Sequence, residues 1–394
     1  MQRLGDYIKE YSARNKFDEE IPVYSVTNSN GFCRDYFGKE VASNNKRTYK
    51  IVPRNAFAYN PSRINVGSVD YQHYEDRVIV SPLYNVFTVD EKILPQYLYF
   101  YLKSPNTMKR IRTVASGSVR DNLKLSMLCE FPIQVPSINR QQNIIELLEK
   151  VQRIIDENND ELEKLDNLVK ARFVEMFGVP GANSKGWNEI KLGEVCSLQN
   201  GYAFKSSDYI NKSGVLNCRM SNIRPDGGFD AEYHPKYLPE EYWDKCSGYR
   251  LFDGDVIIAM TDMASDPKIL GVPTIVSTNG KKFLLNQRVG KLSFLHDDRM
   301  NRVYLMHSLG QKYIRKELAK SAAGSTQINV GKPAILNINI YDPPRSLQDQ
   351  FATFVAQVDK SKFVLSNELT MCDFYIRLIH DRVMHSRINL RVAQ

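Results

Sequence analysis

Ala115-Ser-Gly-Ser-Val-Arg-Asp-Asn-Leu123 and Ala322-Ala-Gly-Ser-Thr-Gln-Ile-Asn-Val330 align without a gap, with Gly117 and Gly324 standing 207 positions apart. The same offset carries Tyr97-Leu98 onto Tyr304-Leu305, Phe131-Pro-Ile133 onto Ile338-Asn-Ile340, and Pro136 onto Pro343. Further upstream, Leu4-Gly5-Asp6 matches Leu192-Gly193-Glu194 at an offset of 188, so the second copy holds more residues in its interior. A chain of 394 residues exceeds one ordinary core. It reads as a tandem duplication whose two interiors have diverged.

Each copy opens with short strand-like segments punctuated by Gly, Pro and Asn, such as Asp76-Arg-Val-Ile-Val-Ser81 and Asp255-Val-Ile-Ile-Ala259, which predicts α+β globular units. Each then meets proline, at Pro136 or at Pro343-Pro344, a residue that disfavours helix before it and suits the approach to a new one. After Pro136, Ile144, Leu148, Val151, Ile155, Asn158, Leu162, Leu165, Val169, Arg172 and Met176 recur at alternating spacings of four and three. At the 207-residue offset the second copy repeats the series as Phe351, Val355, Val358, Lys362, Leu365, Leu369, Cys372, Ile376, Ile379 and Val383. That spacing is a coiled-coil seam, and two seams in one chain can satisfy each other. From 144 to 176 the first makes a rod of about 50 Å, a spacer suited to presenting two units to separate patches of a rigid polymer. Asn158 and Lys362 interrupt the apolar stripe, either to fix register or because the seam is wet there.

Composition narrows the partner. With 42% apolar and 25% charged residues the chain is a folded type, and 53 Lys and Arg against 45 Asp and Glu give a net charge of +8, favouring an acidic partner such as nucleic acid. Cys33, Cys129, Cys196, Cys218, Cys246 and Cys372 form no CxxC and no metal-like pairing with the six histidines, so they read as reduced thiols, and no metal is expected. Met1 to Lys9 lacks an apolar stretch after a basic start, and no run approaches the roughly 20 apolar residues of a membrane span, which predicts a cytoplasmic protein.

Here the residues resemble a known family. Val169-Lys-Ala-Arg-Phe-Val-Glu-Met-Phe-Gly178 is similar to the close of the central conserved region of type I restriction-modification specificity subunits. Lys191-Leu-Gly-Glu-Val-Cys196 with Asn200-Gly-Tyr-Ala-Phe-Lys-Ser-Ser207 resembles the opening of a target-recognition domain, and Ala323-Gly-Ser-Thr-Gln327, Ile338-Asn-Ile-Tyr-Asp-Pro-Pro344 and Gln350-Phe351 resemble its close. The first copy resembles another subtype through Tyr59-Asn-Pro-Ser-Arg63, Ile79-Val-Ser-Pro82 and Gly117-Ser-Val-Arg120. The resemblance implies two α+β target-recognition domains in pseudo-twofold tandem repeat, separated by two long antiparallel coiled-coil helices. The boundaries would be residues 1–137 for the first domain, 138–180 for the central helix, 181–342 for the second domain and 343–394 for the C-terminal helix. It further implies a non-catalytic reader of a bipartite duplex DNA target, one half-site per domain, with two methyltransferase subunits docked on the helices and motor-nuclease subunits joined to them.

Catalytic motifs do not support an enzyme. Asp342-Pro-Pro-Arg345 is the nearest match to the Asn/Asp-Pro-Pro-aromatic loop of an amino-methyltransferase, but its fourth residue is arginine and no Gly-x-Gly lies upstream for a methyl donor. Gly331-Lys332-Pro333 lacks a phosphate-loop glycine, and His380 and His385 are five apart rather than at the four-residue metal spacing. No catalytic residue and no cofactor is therefore assigned.

Bases are read in the major groove chiefly by Arg or Lys on guanine and Asn or Gln on adenine. The candidates of that chemistry are Asn60, Arg63, Asn65, Ser118 and Arg120 in the first domain, and Arg219, Asn222, Arg224, Lys268, Gln287, Arg288, Ser325 and Gln327 in the second. The bland role for any of them is a loop residue facing water or capping a helix. Gly117-Ser118 and Gly324-Ser325 suit phosphate, because a glycine loop exposes backbone N–H groups. Tyr97-Leu-Tyr-Phe-Tyr-Leu102 invites base stacking, but its alignment with Tyr304-Leu305 favours a core helix. Two other function classes stand beside the reader: a DNA methyltransferase or nuclease with an unrecognised site, and a protein-interaction scaffold without DNA.

Overall fold

The computed structural model describes residues 2–34, 46–116, 122–296 and 298–381. The chain divides into two compact units, one of Met1–Glu161 with Val364–Gln394 and one of Leu162–Phe363. Each of the two long helices, Ile138–Phe177 and Arg345–Ile379, therefore contributes to both units.

In the first unit an antiparallel sheet runs Ile8–Glu10, Asn85–Val89, Phe57–Tyr59, Val69–Tyr71 in spatial order. Period-two alternation sends Phe57, Tyr59 and Phe87 to one face and Ala58 and Val86 to the other. Both faces are covered. The second face meets Val26, Phe32, Val52, Val78 and Val80. The first meets the helix Pro95–Lys103, which starts on proline, where the missing N–H costs nothing, and buries Tyr97, Leu98, Tyr101 and Leu102. The aromatic run is core, as its alignment predicts. Ile144, Ile145 and Leu148 of the first long helix complete this cluster, with Ile376 and Ile379 of the second packed against it.

The second unit has two four-stranded sheets. One runs Cys196–Asn200, Val289–Phe294, Val256–Ala259, Pro273–Ile275, all antiparallel. The other runs Tyr237–Leu238, Val215–Cys218, Lys282–Leu285, Arg250–Leu251, with its middle pair parallel. Alternation again splits a strand between cores: Val256 and Ile258 face the helices, Ile257 and Ala259 the other sheet. The helical side closes on Phe173, Phe177, Tyr304 and Phe351, with Phe177 and Tyr304 ring centroids 4.6 Å apart.

Within each unit the long helices run antiparallel. In the first, Ile144 and Ile379 share one cluster while Asn158 donates to Glu368 at 3.1 Å. In the second, Lys362 pairs with Asp166 and Phe173 packs on Phe351 at 5.4 Å. The polar interruptions of both seams are thus partnered, which favours register-fixing over a wet stretch. At 40 residues the first helix is about 60 Å long. Val383 lies outside the described residues.

The duplication holds atom by atom. Gln141 Oε1 accepts from Leu94 N–H at 2.8 Å, and its Nε2 donates to Lys92 and Pro136 carbonyls at 2.7 and 2.8 Å. At the 207-residue offset Gln348 accepts from Asn301 N–H at 2.7 Å and donates to Arg299 and Pro343 carbonyls at 3.4 and 2.7 Å. Tyr97 and Tyr304 likewise donate to the Gln134 and Tyr341 carbonyls at 2.8 and 3.0 Å. Both glutamines are 0% exposed. Each fastens the first turn of a long helix to the segment before its domain's core helix.

Asp342-Pro-Pro-Arg345 forms that same junction. Asp342 accepts from Arg299 at 2.8 Å and Arg345 bonds Asp349, so the loop is occupied as structure. His380 is buried, and His385 lies outside the described residues.

Candidate nucleic-acid interface

In the second unit Gly201 follows the strand Cys196–Asn200 and passes so close to the turn at Asn286 that a Cβ would stand 2.1 Å from the Asn286 carbonyl oxygen. Only glycine fits there. The approach lets Tyr202 N–H donate to Leu285 O and Gln287 N–H to Tyr202 O, both at 2.9 Å. Asn286 N–H in turn reaches Cys218 O at 3.1 Å, bringing the residue after it, Arg219, to the same rim. Gln287 and Arg288 are exposed at the tip, and Tyr202, 41% exposed, leans edge-on against Tyr249 with centroids 5.4 Å apart.

A two-stranded ribbon borders this rim. Thr261–Met263 pairs antiparallel with Gln327–Asn329, Met263 opposite Gln327. Alternation turns Ile328 inward and leaves Gln327 and Asn329 outward. Gly324 precedes it at φ +127°, with a would-be Cβ 2.0 Å from Gln327 O, so the Gly324-Ser325-Thr326 loop is tight, exposed and held by Ala264 N–H donating to Thr326 O. Arg288 Nη1 donates to Gln327 Oε1 at 2.7 Å, joining turn and ribbon.

The other second-domain candidates sit differently. Asn222, 3% exposed, accepts from Arg219 N–H and donates to Asp230 O at 2.8 Å each, closing a turn. Arg224 is locked to Asp230 and lies 4.0 Å from the Tyr233 ring centroid. The Arg224 guanidinium holds the Asp230 carboxyl below its ordinary range, and the hydrogen-bonded carboxylate raises the guanidinium's own. Lys268 is exposed and 3.3 Å from Asp266.

In the first unit Asn60 folds back on its own turn, accepting from Ser62 N–H at 3.1 Å and from Ser62 Oγ at 2.9 Å, while its carbonyl starts the short helix Ile64–Val66. Arg63 is exposed, and the Asn65 carbonyl accepts from Arg112 at 3.2 Å. Leu123 N–H donates to Pro61 O at 3.1 Å, which holds Leu123 beside this turn. Gly117, Ser118 and Arg120 lie outside the described residues. Lys103, which no sequence motif marks, donates to Gly67 O at 2.5 Å, and burial pushes its ammonium below its ordinary range despite nearby Asp70. Tyr202 was not singled out either; the adjacent Gly201 would have marked it, but its close approach to the Asn286 turn shows only in three dimensions.

Among the described residues no group of three or more His, Cys, Asp or Glu could hold a metal ion, all six cysteines are free, and no helix is long and apolar enough to cross a membrane. The family model for the type I restriction modification DNA specificity domain matches this chain twice, over residues 5–167 and 184–370. The type I restriction enzyme MjaVIII specificity subunit of Methanocaldococcus jannaschii is 26% identical over 377 residues, covering 91% of this chain and 85% of that protein. The EcoBI specificity subunit of Escherichia coli is 26% identical over 187 residues, 45% of this chain and 34% of its own length. A solved chain from work on complex assembly and conformational transition of the type I R-M system matches with a TM-score of 0.55 at 17% identity, covering 96% of each, a likeness of fold.

Proposed function

This chain belongs to the type I restriction modification DNA specificity family, and from that premise we propose that it is the subunit that reads a bipartite duplex DNA target, one half-site per domain, without performing chemistry itself. The observation that carries the reading is the doubled domain, repeated down to the Gln141 and Gln348 hydrogen bonds, with interiors that differ where the exposed polar side chains lie. Two copies of one scaffold bearing different surfaces suit two different short sequences.

The recognition domains are residues 1–137 and 181–342, with 138–180 and 343–394 as helical spacers. In the second domain Arg219, Gln287 and Arg288 contact bases with Gln327 beside them on the ribbon, Gly324 and Ser325 contact the phosphates, Lys268 and Arg224 the flanking backbone, and Asn222 holds the turn that carries Arg219. In the first, Arg63 and Asn65 read the other half-site beside the turn that Asn60 closes, with Ser118 and Arg120 as further contacts and Gly117 at phosphate.

Two methyltransferase subunits dock on the long helices, and motor-nuclease subunits join them in the cytoplasm. Support comes from apolar side chains on the outer helix faces. Met371, Phe374 and Tyr375, at one-turn spacing, are 56%, 62% and 48% exposed, and Leu168 and Phe363 in the other unit 47% and 67%. Apolar stripes of this kind mark partner surfaces rather than solvated helix faces.

The test is duplex binding by the reconstituted complex across a salt series. Tight binding to one duplex with two blocks at a fixed gap, falling steeply with salt as phosphate contacts demand, fits the reading. Methyl transfer by the purified chain alone, or salt-independent behaviour with no duplex affinity, overturns it.

A further inference from the structure

Three basic side chains of the second domain are already neutralised by carboxylates. Arg224 pairs with Asp230, Lys268 with Asp266, and Lys291 with Asp255 at 2.7 Å. Arg288 differs. Its Nη1 donates to the neutral amide oxygen of Gln327, and among the described residues it takes part in no salt bridge. Its charge is uncancelled, yet its position is fixed. Backbone N–H of Arg288 donates to Asn286 Oδ1 at 3.1 Å, its carbonyl accepts from Met260 N–H at 2.9 Å, and Gln327 is held on the ribbon opposite Met263.

The chemistry of this pair is specific. A guanidinium is planar and carries five N–H donors in a rigid fork. With Nη1 occupied by Gln327, the Nε and Nη2 edge remains, two parallel donors that match O6 and N7 of guanine in the major groove. A carboxylate partner would cancel the positive charge and repel phosphates; an amide aims the side chain without doing either. The side chain's rotamer freedom, otherwise lost on binding, is already reduced before DNA arrives. The two-stranded ribbon beside it is of a kind the major groove admits.

We propose that Arg288 reads a guanine in the half-site of the second domain, and that Gln327 is the positioning residue that aims it. The proposal rests on the DNA-reading assignment above.

The test is the methylation pattern of hosts carrying the full chain with its methyltransferase, for wild type, Arg288→Ala, Gln327→Met and Gln327→Glu. The wild type should show an invariant G·C pair in the block assigned to the second domain. Arg288→Ala should relax that one position by tenfold or more, in line with the worth of a bidentate base contact, while the first block stays intact and shows that the protein is folded. Gln327→Met should relax the same position to a smaller extent, and Gln327→Glu, which keeps the acceptor but cancels the charge, should retain the preference at that position while lowering methylation of all sites. If Arg288→Ala lowers methylation of all sites alike and, in duplex binding by the reconstituted complex, reduces the salt slope by about one, Arg288 is a phosphate contact and the proposal falls. Unchanged discrimination at every position in Arg288→Ala overturns it as well. A wild-type chain that yields no split motif removes the reader assignment itself, a distinct result.

Discussion

Replacing Gln141, itself 0% exposed, by leucine removes one acceptor and two donors from this junction. Leu94 N–H, Lys92 O and Pro136 O, bonded at 2.7 to 2.8 Å, all lose that partner. A buried polar group left unsatisfied costs about 1–3 kcal/mol, and carbonyls with two lone pairs tolerate the loss better than an N–H. The sum for Gln141→Leu is about 3–5 kcal/mol. In Gln348→Leu the contact to Arg299 O is already stretched to 3.4 Å, so one of the three terms nearly vanishes and about 2–4 kcal/mol remains. Because each glutamine lies in a different unit, each variant should move a separate unfolding step, for which a single two-state transition is the wrong description. In units of this size 1 kcal/mol corresponds to about 2–4 °C, so differential scanning calorimetry should show a fall of about 6 °C or more in one component for Gln141→Leu and a smaller fall in the other for Gln348→Leu. Amide exchange at Leu94 and Asn301 should accelerate in the matching variant. Both variants melting within 2 °C of wild type would refute the idea that these side chains clamp helix to domain.

His307 packs on Phe351 with ring centroids 5.1 Å apart, and burial holds its imidazole below the ordinary 6.5, against the opposing pull of Asp359. A lowered folded value means the unfolded chain binds the proton more readily, so this contribution is complete above pH 6.5 and is lost as pH falls below it; His307→Gln should flatten the slope of the denaturation midpoint between pH 7 and 5.5, and an unchanged slope would rule the residue out. Gly201→Ala forces a Cβ onto the Asn286 carbonyl and should cost about 1–3 kcal/mol through strain, with weaker binding to the second half-site alone, read by competition with duplexes altered in one block. Met371→Glu with Phe374→Glu places two charges on an exposed apolar stripe; size-exclusion of the mixture should show loss of methyltransferase association with the melting profile of the free chain unchanged, and retained association would move the docking surface elsewhere.

The duplication, the strand at Val256–Ala259, the core role of Tyr97 to Leu102 and the paired seams were legible because offset, alternation and the three-and-four spacing are one-dimensional signals. Where the two compact units divide was not. Each long helix contributes to both units, with Ile144 in the core of one and Phe351 in the core of the other, and which seam residues pack into a domain core is set only in three dimensions. The candidate site was legible by residue type and no further. Asn222 and Asn60 have the amide that reads adenine, and the same amide closes turns; which task it performs depends on burial, and in both it bonds its own loop. The Arg288 contact to Gln327 joins residues 39 apart that nothing in the sequence pairs.

The central claim meets its most direct test in the genome-wide methylation pattern of a host expressing this chain together with its methyltransferase, compared with the methyltransferase alone. The account predicts a split motif of two short blocks with a fixed gap that appears only when the chain is present, with one block changing when residues 1–137 are exchanged for those of a relative. Unchanged methylation, or a single unsplit motif, would contradict it.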